Sequence, residues 1–157
     1  MSEIIFICTG NTCRSPMAAA LAAEMLAEAG INIAIGSAGV MAAMGLPAST
    51  NAQLALANPD KPDSIHPEYH ISNHKSRPIS HEMLTSAKLV LTMTSTHLIH
   101  VSKLAPDANA YTLGEYAGNN ISISDPFGGS LEEYIACAAQ IKELLEACMP
   151  KLTSYLS

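Results

Sequence analysis

"IIFICTGNTCRSPMA", residues 4–18, places an apolar run, two cysteines and an arginine in one short stretch. Ile4 to Ile7 is continuously apolar, as in a strand buried on both faces. A helix is expected from about Pro16, because proline is tolerated in a first turn, where its missing N–H would have no partner. Met17, Leu21 and Met25 recur every fourth residue, and Gly30 can close that helix. Ile31 to Ile35 then reads as a second strand, ending in "GSAG". Strand, helix, strand is the signature of a parallel α/β sheet.

The remaining chain extends the pattern. Ala48 to Ala57 is helical in character, and "NPDKPDSIHP" (58–67) is a proline-broken loop. Ser80 can cap a short helix reaching about Ser86. "KLVLTM" (88–93) is a further buried strand, Thr96 to Leu104 is helical, and a short strand surrounds Tyr111. Ser130 and Glu133 form a capping box for a last helix. Its apolar face is Tyr134, Cys137, Ala138, Ile141, Leu144, Leu145 and Cys148. No repeat, linker or low-complexity tract interrupts residues 1–157. The expectation is a single doubly wound α/β domain with a central four-stranded parallel sheet flanked by helices.

Composition narrows the function. The chain has 157 residues, 48% of them hydrophobic, enough for one proper core. Net charge is −6 with only 8 lysines and arginines, so nucleic acid and anionic membrane are not expected partners. The N-terminus carries neither the basic region nor the long apolar segment of a secretory leader. No apolar run approaches a membrane span. Four cysteines in such a chain do not make a disulfide scaffold, and the expected setting is the reducing cytoplasm.

Ligands of open α/β sheets bind beyond the carboxyl ends of strands, where Cys8 stands. The following residues must form a phosphate-binding loop leading to a helix N-terminus, which offers free N–H groups and positive potential. Gly10 and Asn11 tolerate left-handed backbone, so the loop can curl its amides inward. Arg14 adds a planar fork that matches phosphate oxygens. The same field favours the thiolate of Cys8, a nucleophile aimed at phosphorus, and Ser15 can hydrogen-bond the sulfur. A Walker loop is not at issue, because Gly-Lys-Ser/Thr is absent. A phosphoryl ester or phosphoramidate also needs an acid to protonate its leaving atom. Asp125 offers one in "ISISDPFGGS" (121–130), where Pro126 holds it in extended backbone; alone, such an Asp-Pro pair is more often an ordinary turn.

The two segments together resemble the low-molecular-weight protein tyrosine phosphatase family, over nearly the whole chain. Cys8, Cys13, Arg14 and Ser15 match its C-x4-C-R-S loop, Asp125-Pro126 its acid loop, and "SAG" (37–39) and "VLTM" (90–93) its flanking segments. Thr12, Phe127 and Met93-Thr94 look like the bacterial protein arginine phosphatase branch. Two places depart from that branch: Met41 stands where an aromatic is common, and 58–70 is longer than usual, an extension expected near the site's rim.

The resemblance implies a protein phosphatase with a phosphocysteine intermediate. Its catalytic residues are Cys8, Arg14 and Asp125. Thr9, Gly10, Asn11, Thr12, Cys13, Ser15 and Phe127 hold a phosphorylated protein substrate through its phosphate or a like oxyanion. It implies phosphoarginine as substrate, with phosphotyrosine as the alternative, and needs no metal and no cofactor. Asn11, Ser37 and His74 would buttress the loop, His74 being equally readable as an exposed loop histidine. An arsenate reductase would need cysteines near residues 75–95, and none occurs there. A non-catalytic phosphate-binding module would leave Cys8 and Asp125 unexplained.

Other residues have plain readings. Cys13 is either a reversible disulfide partner for Cys8 or a small buried residue under the loop. Cys137 and Cys148, about 16 Å apart along a helix, cannot bridge each other and read as core packing. His66, His70, His97 and His100 read as solvated side chains rather than metal ligands.

Overall fold

A computed structural model of the chain describes residues 2–58, 60 and 64–157. Four strands, β1 (Ile4–Cys8), β2 (Ile35–Gly39), β3 (Leu89–Thr92) and β4 (Ala110–Thr112), form one parallel sheet in the order β2-β1-β3-β4. Six helices surround it: α1 (Arg14–Glu28), α2 (Thr50–Ala57), α3 (His81–Ser86), α4 (Ser95–Leu104), α5 (Leu113–Tyr116) and α6 (Leu131–Leu156).

The continuous apolar run of β1 is explained by its two faces. Ile4, Phe6 and Cys8 point into the larger core with α1, α2 and α6, among them Met17, Leu21, Leu56, Ile141 and Leu145. Ile5 and Ile7 point the other way, onto Leu84 of α3 and Val101 of α4. Helices therefore cover both faces, the doubly wound arrangement. The expected apolar face of α6 is buried at all seven positions, and Ser130 Oγ accepts from the Glu133 N–H as its cap.

Two boundaries that bear on the site differ from expectation. Helix α1 begins at Arg14, two residues before Pro16, which still lies in its first turn. Strand β2 begins only at Ile35, because pairing starts where β1 starts: Ile4 faces Ile35 and Cys8 faces Gly39. "GSAG" is thus the body of the strand, not its exit, and Ser37 and Gly39 lie beside β1, Gly39 opposite Cys8. None of the described residues of the stretch 58–70 lines the site's cavity. In that stretch, Pro67–Tyr69 form a 3-10 turn packed against α1, Ile65 is buried, and the His66 N–H bonds Glu24. Pro59, Lys61, Pro62 and Asp63 lie outside the described residues. Among the described residues no helix is long and apolar enough to cross a membrane.

Order β2-β1-β3 puts the reversal of chain direction between β1 and β3. The loop after β1 opens at that point, beside the segment that follows β3.

Candidate active site

Residues Cys8 to Arg14 wrap a cavity of about 230 Å³, lined by Cys8, Thr9, Gly10, Thr12, Cys13, Arg14, Asp125 and Phe127. The loop turns at Asn11, the one non-glycine residue with positive φ among those described, at 57°. Gly10 does not share that conformation, so the left-handed step falls on Asn11 alone. Asparagine suits it because a short polar side chain can satisfy its surroundings locally.

Asn11 is fully buried. Its Nδ2 donates to Ser15 Oγ (2.8 Å) and Ser37 Oγ (2.9 Å), and its Oδ1 accepts from the Arg77 N–H (3.0 Å). The Asn11 carbonyl accepts from His74 Nε2 at 2.7 Å. A carbonyl only accepts, so His74 carries its proton on Nε2 there; burial holds its pKa below the ordinary value. His74 is therefore a loop support and not a free surface histidine. Gly39 lets the loop come this close. A Cβ there would press into the Thr9 carbonyl and stand 2.9 Å from Asn11 N.

Ser15 Oγ lies 3.0 Å from Cys8 Sγ. It accepts from Asn11, and its one proton is shared between the sulfur and the Ala38 carbonyl, 3.4 Å away. The N-terminus of α1 has no side-chain cap and no acidic residue in its first turn, in contrast to α3, α4, α5 and α6, which Ser80, Thr94, Thr112 and Ser130 cap. Its free N–H groups stay available to an anion.

Arg14 is 4% exposed. Its Nη1 donates to the Ile123 carbonyl at 2.9 Å, and its Nη2 lies 3.4 Å from Thr9 Oγ1 and 3.6 Å from Asp125 Oδ2. Its Nε is buried with no hydrogen-bond partner among the described residues. A buried guanidinium N–H left open is costly unless a ligand takes it. Ile123 is itself fixed, since its N–H donates to the Met93 carbonyl at 3.1 Å. The segment leading to Asp125 is thus tied to both β3 and Arg14. Asp125 is about half exposed, and its Oδ1 accepts from the Phe127 N–H, forming a local turn that leaves Oδ2 toward Arg14. Phe127 stands 75% exposed at the cavity's edge.

Cys13 stands at the N-cap position of α1 without capping it; its Sγ lies 3.0 Å from Ser49 Oγ and 3.3 Å from the Tyr134 hydroxyl. All four cysteines are free thiols. Burial pushes Cys137 up to about 12 and Cys148 up to about 11, so both stay protonated in the core and neither is poised as an arsenate reductase shuttle.

His97 corrects the expectation of a solvated side chain. It is 3% exposed, and its Nε2 meets Thr9 Oγ1 at 2.9 Å. His66 and His100 are exposed as expected, and His70 is half-buried with its Nε2 3.2 Å from the Ile65 carbonyl. Thr9–His97, Ile123 and the backbone of Arg77 are the site contacts that sequence reasoning missed. Of these only His97 carried a signal, its N3 position behind a capping Thr94.

A sulfur, an arginine fork and uncapped helix amides around one anion-sized cavity, with a carboxyl at its mouth, define the cysteine-dependent phosphatases. The chain belongs to the low molecular weight phosphotyrosine protein phosphatase family, whose model matches residues 3–156. It is similar to a protein-arginine-phosphatase of Bacillus subtilis, 40% identical over 154 residues and 96% of each chain. It is also similar to the low molecular weight protein-tyrosine-phosphatase PtpB of Staphylococcus epidermidis, 32% identical over 92% of this chain and 94% of that one. Among solved structures, a mutant of the YwlE arginine phosphatase with a phosphorylated active-site serine matches with a TM-score of 0.85. The identity is 36%, over 96% of this chain and 95% of that one.

Proposed function

We propose that this chain, residues 1–157 acting as one unit, is a protein phosphatase that hydrolyses phosphoarginine in proteins. The observation that carries the reading is the buried Arg14 Nε, an unpartnered donor on a cavity that also holds Cys8 and Asp125. Similarity to protein-arginine-phosphatases supports the choice of substrate.

Cys8 Sγ attacks phosphorus as thiolate, aided by the Ser15 hydroxyl. The S–P bond forms as the P–N bond breaks, and Asp125 gives its proton to the departing guanidino nitrogen. Loop amides from Thr9 to Arg14 and the Arg14 Nε and Nη2 donors hold the three phosphoryl oxygens. Asp125, now a carboxylate, takes a proton from water as that water attacks the phosphocysteine. The P–S bond breaks, phosphate leaves, and the thiolate returns. A thiolate nucleophile and free cysteines suit the reducing cytoplasm.

Thr12 sits on the cavity wall, where a branched cationic phosphoguanidinium needs room and a polar neighbour. The paired test is kcat/KM on phosphoarginine and phosphotyrosine peptides. Phosphoarginine should be preferred, and Thr12→Ile should move the ratio toward phosphotyrosine. An unchanged ratio rejects the role of Thr12. Phosphotyrosine is the second reading, favoured by Phe127, whose exposed ring can lie along a substrate ring at the cavity's edge.

A further inference from the structure

We propose that His97 is a positioning residue that turns the Thr9 hydroxyl into a side-chain donor to the bound phosphoryl group. This inference rests on the phosphatase reading of the cavity and adds a donor to it, beyond the loop amides and Arg14.

The chain of donors runs one way. The Thr94 backbone N–H donates to His97 Nδ1 at 3.2 Å, and the Thr94 hydroxyl, which accepts from the His97 N–H, lies 3.0 Å from the same nitrogen. A backbone N–H cannot accept, so Nδ1 is bare and the neutral ring carries its proton on Nε2. Nε2 therefore donates to Thr9 Oγ1 at 2.9 Å. Arg14 Nη2, which also only donates, approaches the same oxygen at 3.4 Å. A threonine hydroxyl has two acceptor sites and one proton. With both acceptor sites facing donors, the proton must go to a third group. Thr9 lines the cavity, and the acceptors met there are the substrate's phosphoryl oxygens and, beside Arg14, the Asp125 carboxylate.

The surroundings keep the imidazole in this state. It is buried, and the groups facing it are Arg14 on α1, His100 on its own helix and Asp125 across the cavity. Burial and then the Arg14 charge push its pKa down to about 4. A charged ring would also give up the Thr94 N–H, which is half of the α4 capping box.

The test is a double-mutant cycle on Thr9→Val and His97→Gln, with Thr9→Ser as a third variant. It reads kcat/KM on phosphoarginine and phosphotyrosine peptides and the Kd for inorganic phosphate. Each of the first two changes should lower kcat/KM and weaken phosphate binding by about tenfold, the scale of one hydrogen bond to a charged group. The double variant should lose no more than Thr9→Val alone, and Thr9→Ser should lose less than Thr9→Val. In the unaltered protein, imidazole 15N shifts should report protonated Nε2 and bare Nδ1. Multiplicative losses in the double variant, or the Nδ1–H tautomer, overturn the proposal. Should His97→Gln fail to fold, the Thr9→Val and Thr9→Ser contrast and the 15N shifts still decide it. A chain that turns over phosphotyrosine only would reject the phosphoarginine reading and leave the cycle readable on that substrate. Phosphate binding decides it if neither peptide is hydrolysed.

Discussion

In the proposed mechanism Cys8, Arg14 and Asp125 divide one reaction between attack, charge and proton transfer, and their variants should fail differently. Cys8→Ser is expected to lower kcat by about 10⁴-fold or more, with phosphate still bound, because the alkoxide is not available. Asp125→Asn should cost about 10²–10⁴-fold in kcat, most on the substrate with the poorest leaving group. Equal losses on all leaving groups would contradict its role as acid. The histidines set a different dependence. His97 and His74 are both held below the ordinary value of 6.5, His97 at about 4. As pH falls below 6.5, the unfolded chain takes up protons that the folded protein refuses. Stability is therefore full above 6.5 and is lost progressively toward 4, by up to about 3 kcal/mol for His97. Denaturant midpoints across that range should fall less steeply in His97→Gln; an unchanged slope would mean that the ring takes up its proton as readily in the folded chain as in the unfolded one. The nucleophile, fork and acid were legible because their chemistry is local, a seven-residue loop between strand and helix and an Asp-Pro pair. His97 was not. Its partner is 88 positions away, and on its own helix its spacing to His100 looks like a wetted face.

At the level of elements, the sheet was legible wherever apolar residues ran without interruption, as in β1 and β3. Strand β2 was not, since "IGSAG" has little β character and is a strand only because β1 supplies its partner. That misplaced start concealed the closest packing in the site, the end of β2 under the phosphate loop. Gly39→Ala tests it. The added methyl meets backbone atoms of Thr9 and Asn11, which cannot step aside as a flexible side chain would. The variant should keep the fold's circular dichroism while phosphate affinity and kcat/KM fall by about 10²-fold or more, as a preorganised donor set is spread. Wild-type phosphate affinity in Gly39→Ala would show that the loop does not need this close approach.

Over the whole molecule, the net charge of −6 surrounds a cavity that must receive a dianion. Local amides and Arg14 overcome that field at short range, but at a distance it favours substrates whose flanking residues are basic. With phosphopeptides of equal length, kcat/KM for a basic peptide should fall as salt rises from about 0.02 to 0.2 M, and that for an acidic peptide should rise. Parallel responses would mean that long-range charge plays no part in capture. One contact also bears on how the molecule tolerates change in length. Ile123 is pinned on one side by the Met93 carbonyl and on the other by Arg14. The exposed turn upstream, from Gly118 to Asn120, is therefore separated from Asp125 by a residue held at two points. Insertions grafted into that turn should carry tags or probes without shifting the Asp125 carboxyl.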